Sequence, residues 1–324
     1  MRLLFGRERF TAELSWAGIG PLLPGWEIRA CHPAAVGSHL DGVDAICPFG
    51  ARIDAAVLAG GSFGLVQQFG VGLEKVDVEA ATRLGVWVSR IPGDAGGNAD
   101  SVAELAVLHL LALIRRLDDA RATLAAGTWE QRPTGGSLAG ATVLIVGLGA
   151  IGTALVQRLA PFGVSLLGVR ARPELGGPEP VRRTGGPGDL PELLGQADAV
   201  VCCAMFDPSS AGMFGAEAFA AMRPGALFIN VARGGLVDEP ALLAALESGQ
   251  VGGAGLDVHA TEPADPDSAL LRHPRVLATP HVGGLTEVMF RRSSAVFAQN
   301  MLRWAAGQEP RWAVNAPAFC RARD

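Results

Sequence analysis

The stretch Ala141–Pro173, ATVLIVGLGAIGTALVQRLAPFGVSLLGVRARP, constrains the fold more than any other. It opens on an apolar run, Ala141 to Val146, with only Thr142 as a polar member. Gly147-Leu148-Gly149-Ala150-Ile151-Gly152 follows at once, and a helical pattern starts inside the glycines and runs to about Phe162. After Gly163 a second apolar strand runs from Val164 to Val169. Strand, G-x-G-x-x-G turn, helix and strand together are the context in which this glycine pattern binds a dinucleotide. Gly147 permits the tight turn, Gly149 lets the backbone approach a pyrophosphate, and Gly152 lets helix and strand pack closely. The helix N-terminus at Ala150 and Ile151 then offers free N–H groups and a positive dipole end to the phosphates.

The end of the second strand selects the dinucleotide. Asp or Glu there binds the ribose 2′-hydroxyl of NAD. Here the chain reads Gly168-Val169-Arg170-Ala171-Arg172-Pro173, with no carboxylate before Glu174. A carboxylate would repel a 2′-phosphate, whereas Arg170 and Arg172 can hold one through charge-assisted bonds. The expected cofactor is NADP, with NADPH preferred over NADH. The plainer alternative is that both are surface residues in a chain whose only lysine is Lys75.

A chain of 324 residues, 49% hydrophobic and 18% charged, can bury one large core or two of ordinary size, the second being expected, and is not a disordered chain. Its net charge of −5 is interspersed, so no basic face suggests nucleic acid and no polybasic tract suggests a membrane surface. The opening MRLLFGRERF has too short an apolar run for a signal peptide, and no window reaches the length of a membrane span. The expected location is the cytoplasm. The five cysteines, none in C-x-x-C, read as small buried hydrophobes in a reducing compartment. No His/Cys/Asp cluster has metal-ligand spacing, so no metal is expected.

Strand signals at Leu3–Phe5, Trp26–Cys31, Val43–Phe49, Leu65–Phe69 and Val86–Ile91 alternate with helical ones at Ile53–Leu58 and Glu74–Leu84. A further helix is expected in the mixed segment after Phe5. This alternation argues for a parallel sheet covered on both faces, with ligands beyond the carboxyl ends of its strands. The turns at Phe49-Gly50 and Gly70-Val71-Gly72 lie there. A loop of small residues, Gly93 to Ala99, leads to Ser101 and Glu104, a capping box for a helix expected to reach about Leu124. Trp129, in a loop of Gly, Pro and Thr, is a candidate interface anchor. Pro173 to Pro187 reads as irregular. Strands follow at Asp198–Ala204, Ala226–Val231, Gly253–Val258 and Val276–Ala278, with helices at Ala216–Met222, Glu239–Ser248 and Glu287–Ala306.

Three strand-end loops each offer one chemically capable side chain: Arg233, Glu262 and His281. Arginine binds a carboxylate bidentately and polarises an adjacent carbonyl. Histidine is the usual proton carrier near neutral pH. A carboxylate on its other ring nitrogen fixes the tautomer and favours the charged form. With a nicotinamide site, this set describes reversible reduction of a 2-oxo acid. Each residue also has a plainer reading: a turn support, a solvated carboxylate and a structural hydrogen-bonder. Among the other histidines, His109 reads as packed or partly exposed in the long helix. His259 is close to Asp257 but outside any recognisable pattern, and His273 reads as a turn cap.

These residues resemble the D-specific 2-hydroxyacid dehydrogenase family. The resemblance rests on Gln68-Phe69-Gly70-Val71-Gly72, on Asn98-Ala99-Asp100-Ser101-Val102-Ala103-Glu104 and on the 147–152 glycines. It continues in Asn230-Val231-Ala232-Arg233-Gly234-Gly235-Leu236-Val237-Asp238-Glu239, in Gly255-Leu256-Asp257-Val258 with Glu262-Pro263, and in Thr279-Pro280-His281-Val282-Gly283-Gly284. It implies that Arg233, Glu262 and His281 are catalytic and that Asp257 contacts the nicotinamide carboxamide. It also implies that the Val71 and Gly72 backbone receives the substrate carboxylate. The implied α/β architecture is two doubly wound parallel-sheet domains with the active site in the cleft between them. One is a flavodoxin-like substrate domain over 1–99 plus 285–324, the other a Rossmann cofactor domain over 100–284. A homodimer built on the cofactor domains is implied as well.

Arg170 stands where the family more often has an acidic residue, and resembles the NADPH-dependent glyoxylate/hydroxypyruvate reductase branch. Ala204-Met205-Phe206-Asp207-Pro208 departs from the usual run after the fourth cofactor-domain strand, and Gly96-Gly97 before Asn98 is unusual. A dehydrogenase of phosphite or formate shares the scaffold, as does a corepressor that senses NAD(H). The first sixty or so residues identify no substrate.

Overall fold

The structure, a computed structural model, describes residues 1–8 and 18–321. It divides into two compact units, Met1–Asn98 with Leu285–Asp324, and Ala99–Gly284. The helix expected after Phe5 falls mostly on residues 9–17, outside the described residues.

The first unit is built on β1 (Arg2–Phe5), β2 (Glu27–Ala30), β3 (Ala45–Cys47), β4 (Leu65–Gln67) and β5 (Trp87–Ser89), all parallel, in the order β2-β1-β3-β4-β5. Alternation along each strand sends residues to two faces. Leu4, Ile46, Val66 and Val88 pack with Leu58, Ala80 and Ala81 on one face. Leu3, Phe5, Ala45, Cys47 and Leu65 pack on the other with Phe297, Met301 and Trp304 of the helix Glu287–Ala305. That apolar stripe brings the C-terminal helix back to the first sheet. The exposed edge of β5 is covered by the segment beyond it. Val314 N–H donates to Val88 O, and the Asn315 side chain accepts from Val88 N–H at 2.7 Å.

The second unit holds β6 (Thr142–Val146), β7 (Ser165–Val169), β8 (Arg183–Gly185), β9 (Ala199–Cys202), β10 (Ala226–Asn230), β11 (Val251–Leu256) and β12 (Val276–Ala278). They form a parallel sheet in the order β12-β11-β10-β9-β6-β7-β8. The order reverses between β6 and β9, the switch point where open parallel sheets bind ligands. Val143, Ile145, Val201 and Ile229 face one core, and Leu144, Val200, Cys202 and Phe228 face the other. Among the described residues, no helix is long and apolar enough to cross a membrane.

Four local readings change. The long helix starts at Asn98, so Ser101 lies inside it, buried, and no capping box forms there. The helix stops at Ile114, and a separate one spans Leu117–Ala125 after Arg116 takes φ +51°. A returning loop ends it: Gly136 N–H donates to Ile114 O at 2.7 Å, and a Cβ on Gly135 would sit 2.8 Å from Arg115 Cα. The segment read as irregular contains the edge strand β8, Arg-Thr-Gly, which has no apolar pattern to reveal it. Cys31, Cys47 and Cys202 are buried, and burial pushes the Cys202 thiol up to about 12, but Cys203 is half-buried. Cys320 is exposed, its Sγ accepting from Trp87 Nε1 at 3.0 Å.

The Phe228 ring lies 4.9 Å from Phe214 and 5.3 Å, edge-on, from Phe219, and all three are buried. Phe228→Ala is expected to cost the second unit about 3–5 kcal/mol. Urea unfolding would show this as a lower midpoint, and a loss under about 1 kcal/mol would remove the cluster from the core.

Candidate active site

The chain leaves β6 through the glycine turn. Gly147 has φ +103°, and a Cβ on it would lie 2.5 Å from Ala204 N at the end of β9. A Cβ on Gly152 would meet Gly147 O at 2.1 Å, so the helix Ala150–Leu159 can start only this close to the turn with glycine there. A Cβ on Gly149 would meet nothing within 4 Å. Gly149 is the N-cap, gives no side-chain cap, and no acidic residue occupies the first turn. The N–H groups of Ala150, Ile151 and Gly152 therefore have no carbonyl one turn back within the helix. Two glycines shaped by contact, one by open space, and a helix N-terminus at the switch point fit a dinucleotide pyrophosphate.

At the end of β7, Arg170 is half-buried and donates from one guanidinium nitrogen to Gly176 O at 2.8 Å. This contact orients the side chain and leaves most of its five N–H donors for other acceptors. Arg172 is exposed, and no carboxylate intervenes before Glu174.

Arg233, Glu262 and His281 follow β10, β11 and β12, neighbouring parallel strands. Buried Asn230 shapes the first loop, accepting from Ala232 N–H and donating to Arg233 O, both at 3.0 Å. Arg233 is half-buried and donates to Ala232 O at 2.7 Å. A Cβ on Gly234 would fall 2.0 Å from His259 O, so glycine there lets the β10 loop lie against the β11 loop.

His281 Nδ1 lies 2.8 Å from Glu262 Oε2 and 3.1 Å from Oε1. Both side chains reach solvent, 47% and 38% exposed. Partial burial opposes ionisation of Glu262, but the hydrogen bond and charge of His281, with the His259 N–H at 3.2 Å, hold its carboxyl below the usual range. Glu262 thus keeps its charge to lower pH than a free carboxylate, and what that charge contributes is lost as pH falls through the lowered value. A carboxylate accepts, so Nδ1 carries a proton and Nε2 is the ring nitrogen left to exchange one.

His281 has φ +54°, unusual for a residue with a side chain. Asp257 secures it. His281 N–H donates to Asp257 O at 2.8 Å. The Asp257 carboxylate, 2% exposed, accepts from Thr279 Oγ1 at 2.7 Å, Val282 N–H at 2.8 Å and Gly283 N–H at 2.9 Å. Asp257, Glu262 and His281 thus form one bonded group, with Arg233 on the loop packed beside it. His109, expected to be packed or partly exposed, is fully buried, with Nε2 3.4 Å from Thr279 Oγ1. Thr279, quoted only as part of a motif, and His259, placed close to Asp257 but outside any pattern, were given no role from the sequence because their contacts run across strands.

In the first unit, Val71 and Gly72 lie beyond β4, half-buried. Their turn is held by Gln68 Nε2, which donates to Gly72 O at 2.7 Å. Phe69 beside it stacks on Phe49 at 5.4 Å. Among the described residues, no three His, Cys, Asp or Glu side chains are grouped to hold a metal ion.

The family model described as D-isomer specific 2-hydroxyacid dehydrogenase, NAD binding domain, matches residues 107–283. D-3-phosphoglycerate dehydrogenase of Mycobacterium tuberculosis is 39% identical over 270 residues, 81% of this chain and 49% of that protein. The chain spans about half the length of the curated relatives it matches. A Thermus thermophilus protein of known structure is 30% identical with a TM-score of 0.84, covering 97% of this chain and 100% of that one. The NADPH-dependent glyoxylate/hydroxypyruvate reductase of Sinorhizobium meliloti, solved with NADP and malonate, is 29% identical with a TM-score of 0.83, covering 100% of this chain and 99% of that one. With its two parallel sheets and this match through the second unit, the chain belongs to the D-isomer specific 2-hydroxyacid dehydrogenase family.

Proposed function

We propose that this chain is an NADP(H)-dependent D-2-hydroxyacid dehydrogenase that reduces a small 2-oxo acid of the glyoxylate or hydroxypyruvate kind. The observation that carries this reading is the Glu262–His281 pair, 2.8 Å apart, on neighbouring strand ends of the family-matched unit. A bound nicotinamide supplies or accepts the hydride at the substrate C2. His281 Nε2 donates a proton to the developing alkoxide in reduction and takes it back in oxidation. Glu262 stabilises the imidazolium and holds the ring. Arg233 clamps the substrate carboxylate and polarises the oxo group. The backbone of Val71 and Gly72, in the first unit, is assigned to the carboxylate as well. Gly147, Gly149, Ala150, Ile151 and Gly152 would receive the pyrophosphate, Asp257 the carboxamide, and Arg170 with Arg172 the 2′-phosphate.

The arginine pair and the likeness to the Sinorhizobium reductase along its whole length support the glyoxylate-type reading. The 39% identity to phosphoglycerate dehydrogenases favours a second one, oxidation of D-3-phosphoglycerate. We also propose a homodimer through the second unit. Leu108, Leu117, Leu124 and Trp129 stand exposed on its helices and the turn after them, apolar surface that a second copy would cover. Free thiols support the cytoplasm as location.

A panel of glyoxylate, hydroxypyruvate, pyruvate and D-3-phosphoglycerate, each with both nicotinamide cofactors, tests the reading. Reduction of glyoxylate or hydroxypyruvate with NADPH is expected, and turnover of phosphoglycerate alone would overturn it. Arg170→Asp is expected to weaken NADPH roughly ten- to a hundred-fold while sparing NADH, since it trades attraction for repulsion at the 2′-phosphate. An unchanged NADPH/NADH ratio would return Arg170 to the surface. Arg233→Lys keeps the charge but loses the fork, so turnover should drop sharply with NADPH affinity little altered. Normal turnover would take Arg233 out of the substrate site.

Paired pH–rate profiles test the proton carrier. Reduction should slow as pH rises past the histidine's titration and oxidation as pH falls below it. In Glu262→Gln the alkaline limb of reduction should move to lower pH, because the imidazolium loses its partner. His281→Ala should lose about a hundred- to ten-thousand-fold in rate. A limb that stays put in the glutamine variant would contradict the pairing.

A further inference from the structure

The His281 ring meets Glu262 from a backbone held at φ +54°. Thr279, two residues upstream, is bound to that backbone and to Asp257, which also holds it. Its carbonyl accepts the His281 N–H at 3.0 Å and is approached by His259 Nε2, also at 3.0 Å. A carbonyl only accepts, so His259 carries its proton on Nε2. This leaves His259 Nδ1 buried and without a partner. The Thr279 hydroxyl donates to Asp257 Oδ1 at 2.7 Å. With that proton committed, His109 Nε2, at 3.4 Å, can only donate to Thr279 Oγ1. His109 Nδ1 is buried without a partner, and burial lowers the ring's pKa against the pull of Asp257, both of which favour a neutral ring with its proton on Nε2.

One of these histidines, His259, ties Thr279 to the rest of the site. The His259 backbone N–H donates to Glu262 Oε1 while its ring holds the Thr279 carbonyl, so one residue spans the Glu262 loop and the His281 loop. A buried donor or acceptor left unmatched is costly, so the three groups converging on Thr279 have one low-energy arrangement.

We infer that Thr279 is a positioning residue for His281, its hydroxyl and carbonyl fixing the backbone that points the imidazole at Glu262. This rests on the dehydrogenase reading above. The substrate and cofactor need not touch Thr279 for its loss to be felt, because a displacement of about 1 Å in a reacting group can cost roughly a hundred-fold.

Thr279→Val removes the hydroxyl at nearly constant volume, and Thr279→Ser keeps it. The valine variant is expected to lose roughly ten- to a hundred-fold in kcat, with NADPH affinity unchanged. The alkaline limb of its reduction profile should move to lower pH, as in Glu262→Gln, because the pair is loosened. The serine variant should stay within a few-fold of the parent in both readouts. If the valine variant does not fold, judged by circular dichroism, Thr279→Ala is read in its place. Parental kcat and profile in these variants would overturn the inference, as would a serine variant no better than valine. A parent chain that reduces no 2-oxo acid with either nicotinamide would instead overturn the functional reading.

Discussion

A buried carboxylate is costly unless donors surround it, and Asp257 at the end of β11 gathers its donors from the loop beyond β12. Thr279, Val282 and Gly283 all turn toward it, and that turn forces His281 between them into the left-handed region. The strain at His281 is of the sort that persists only where its surroundings over-determine it. Here several hydrogen bonds do so. The charge that organises the loop is thus distinct from the charge of Glu262 that meets the imidazole.

Parallel topology makes this arrangement possible. Strands β6 and β9 to β12 all run in one direction, so their carboxyl ends lie along one edge. Loops that emerge side by side must pack backbone to backbone, and glycine marks the contacts. Gly147 meets the end of β9, and Gly234 meets His259 in the loop after β11. Both glycines are therefore joints between loops as much as members of a motif. The nucleotide cradle and the three candidate catalytic side chains are consequences of one sheet edge.

The contrast between the phosphoglycerate relatives and the glyoxylate reductase structure has a physical form in the chain. Relatives at 39% identity are about twice as long, while the structures alike over nearly the whole chain include an enzyme described as NADPH-dependent. Arg170, held by the Gly176 carbonyl at the end of β7, is the local feature on which the proposed cofactor choice turns.

Elements whose formation depends on near neighbours could be read directly. The apolar runs from Ala141 to Val146 and from Val164 to Val169, the glycines between them, and the alternation of strands with helices follow from side-chain period and backbone freedom. So did the residue types at Arg233, Glu262 and His281. Other features depended on partners distant in sequence. The helix break at Arg115 and Arg116 comes from a loop some twenty residues on, whose Gly136 caps Ile114. Strand β8 exists because β7 offers it an edge. Ser101 became interior once the helix began at Asn98. The roles of Thr279, His259 and His109 come from three strands and a helix meeting at one carboxylate, and no spacing along the chain encodes that meeting. The sequence by itself determined the strand–turn–helix unit and the chemical groups at the strand ends, because those depend on local backbone and side-chain identity. Only the tertiary structure decided which of those groups touch and in what tautomer, because hydrogen-bond partners across parallel strands are set by packing.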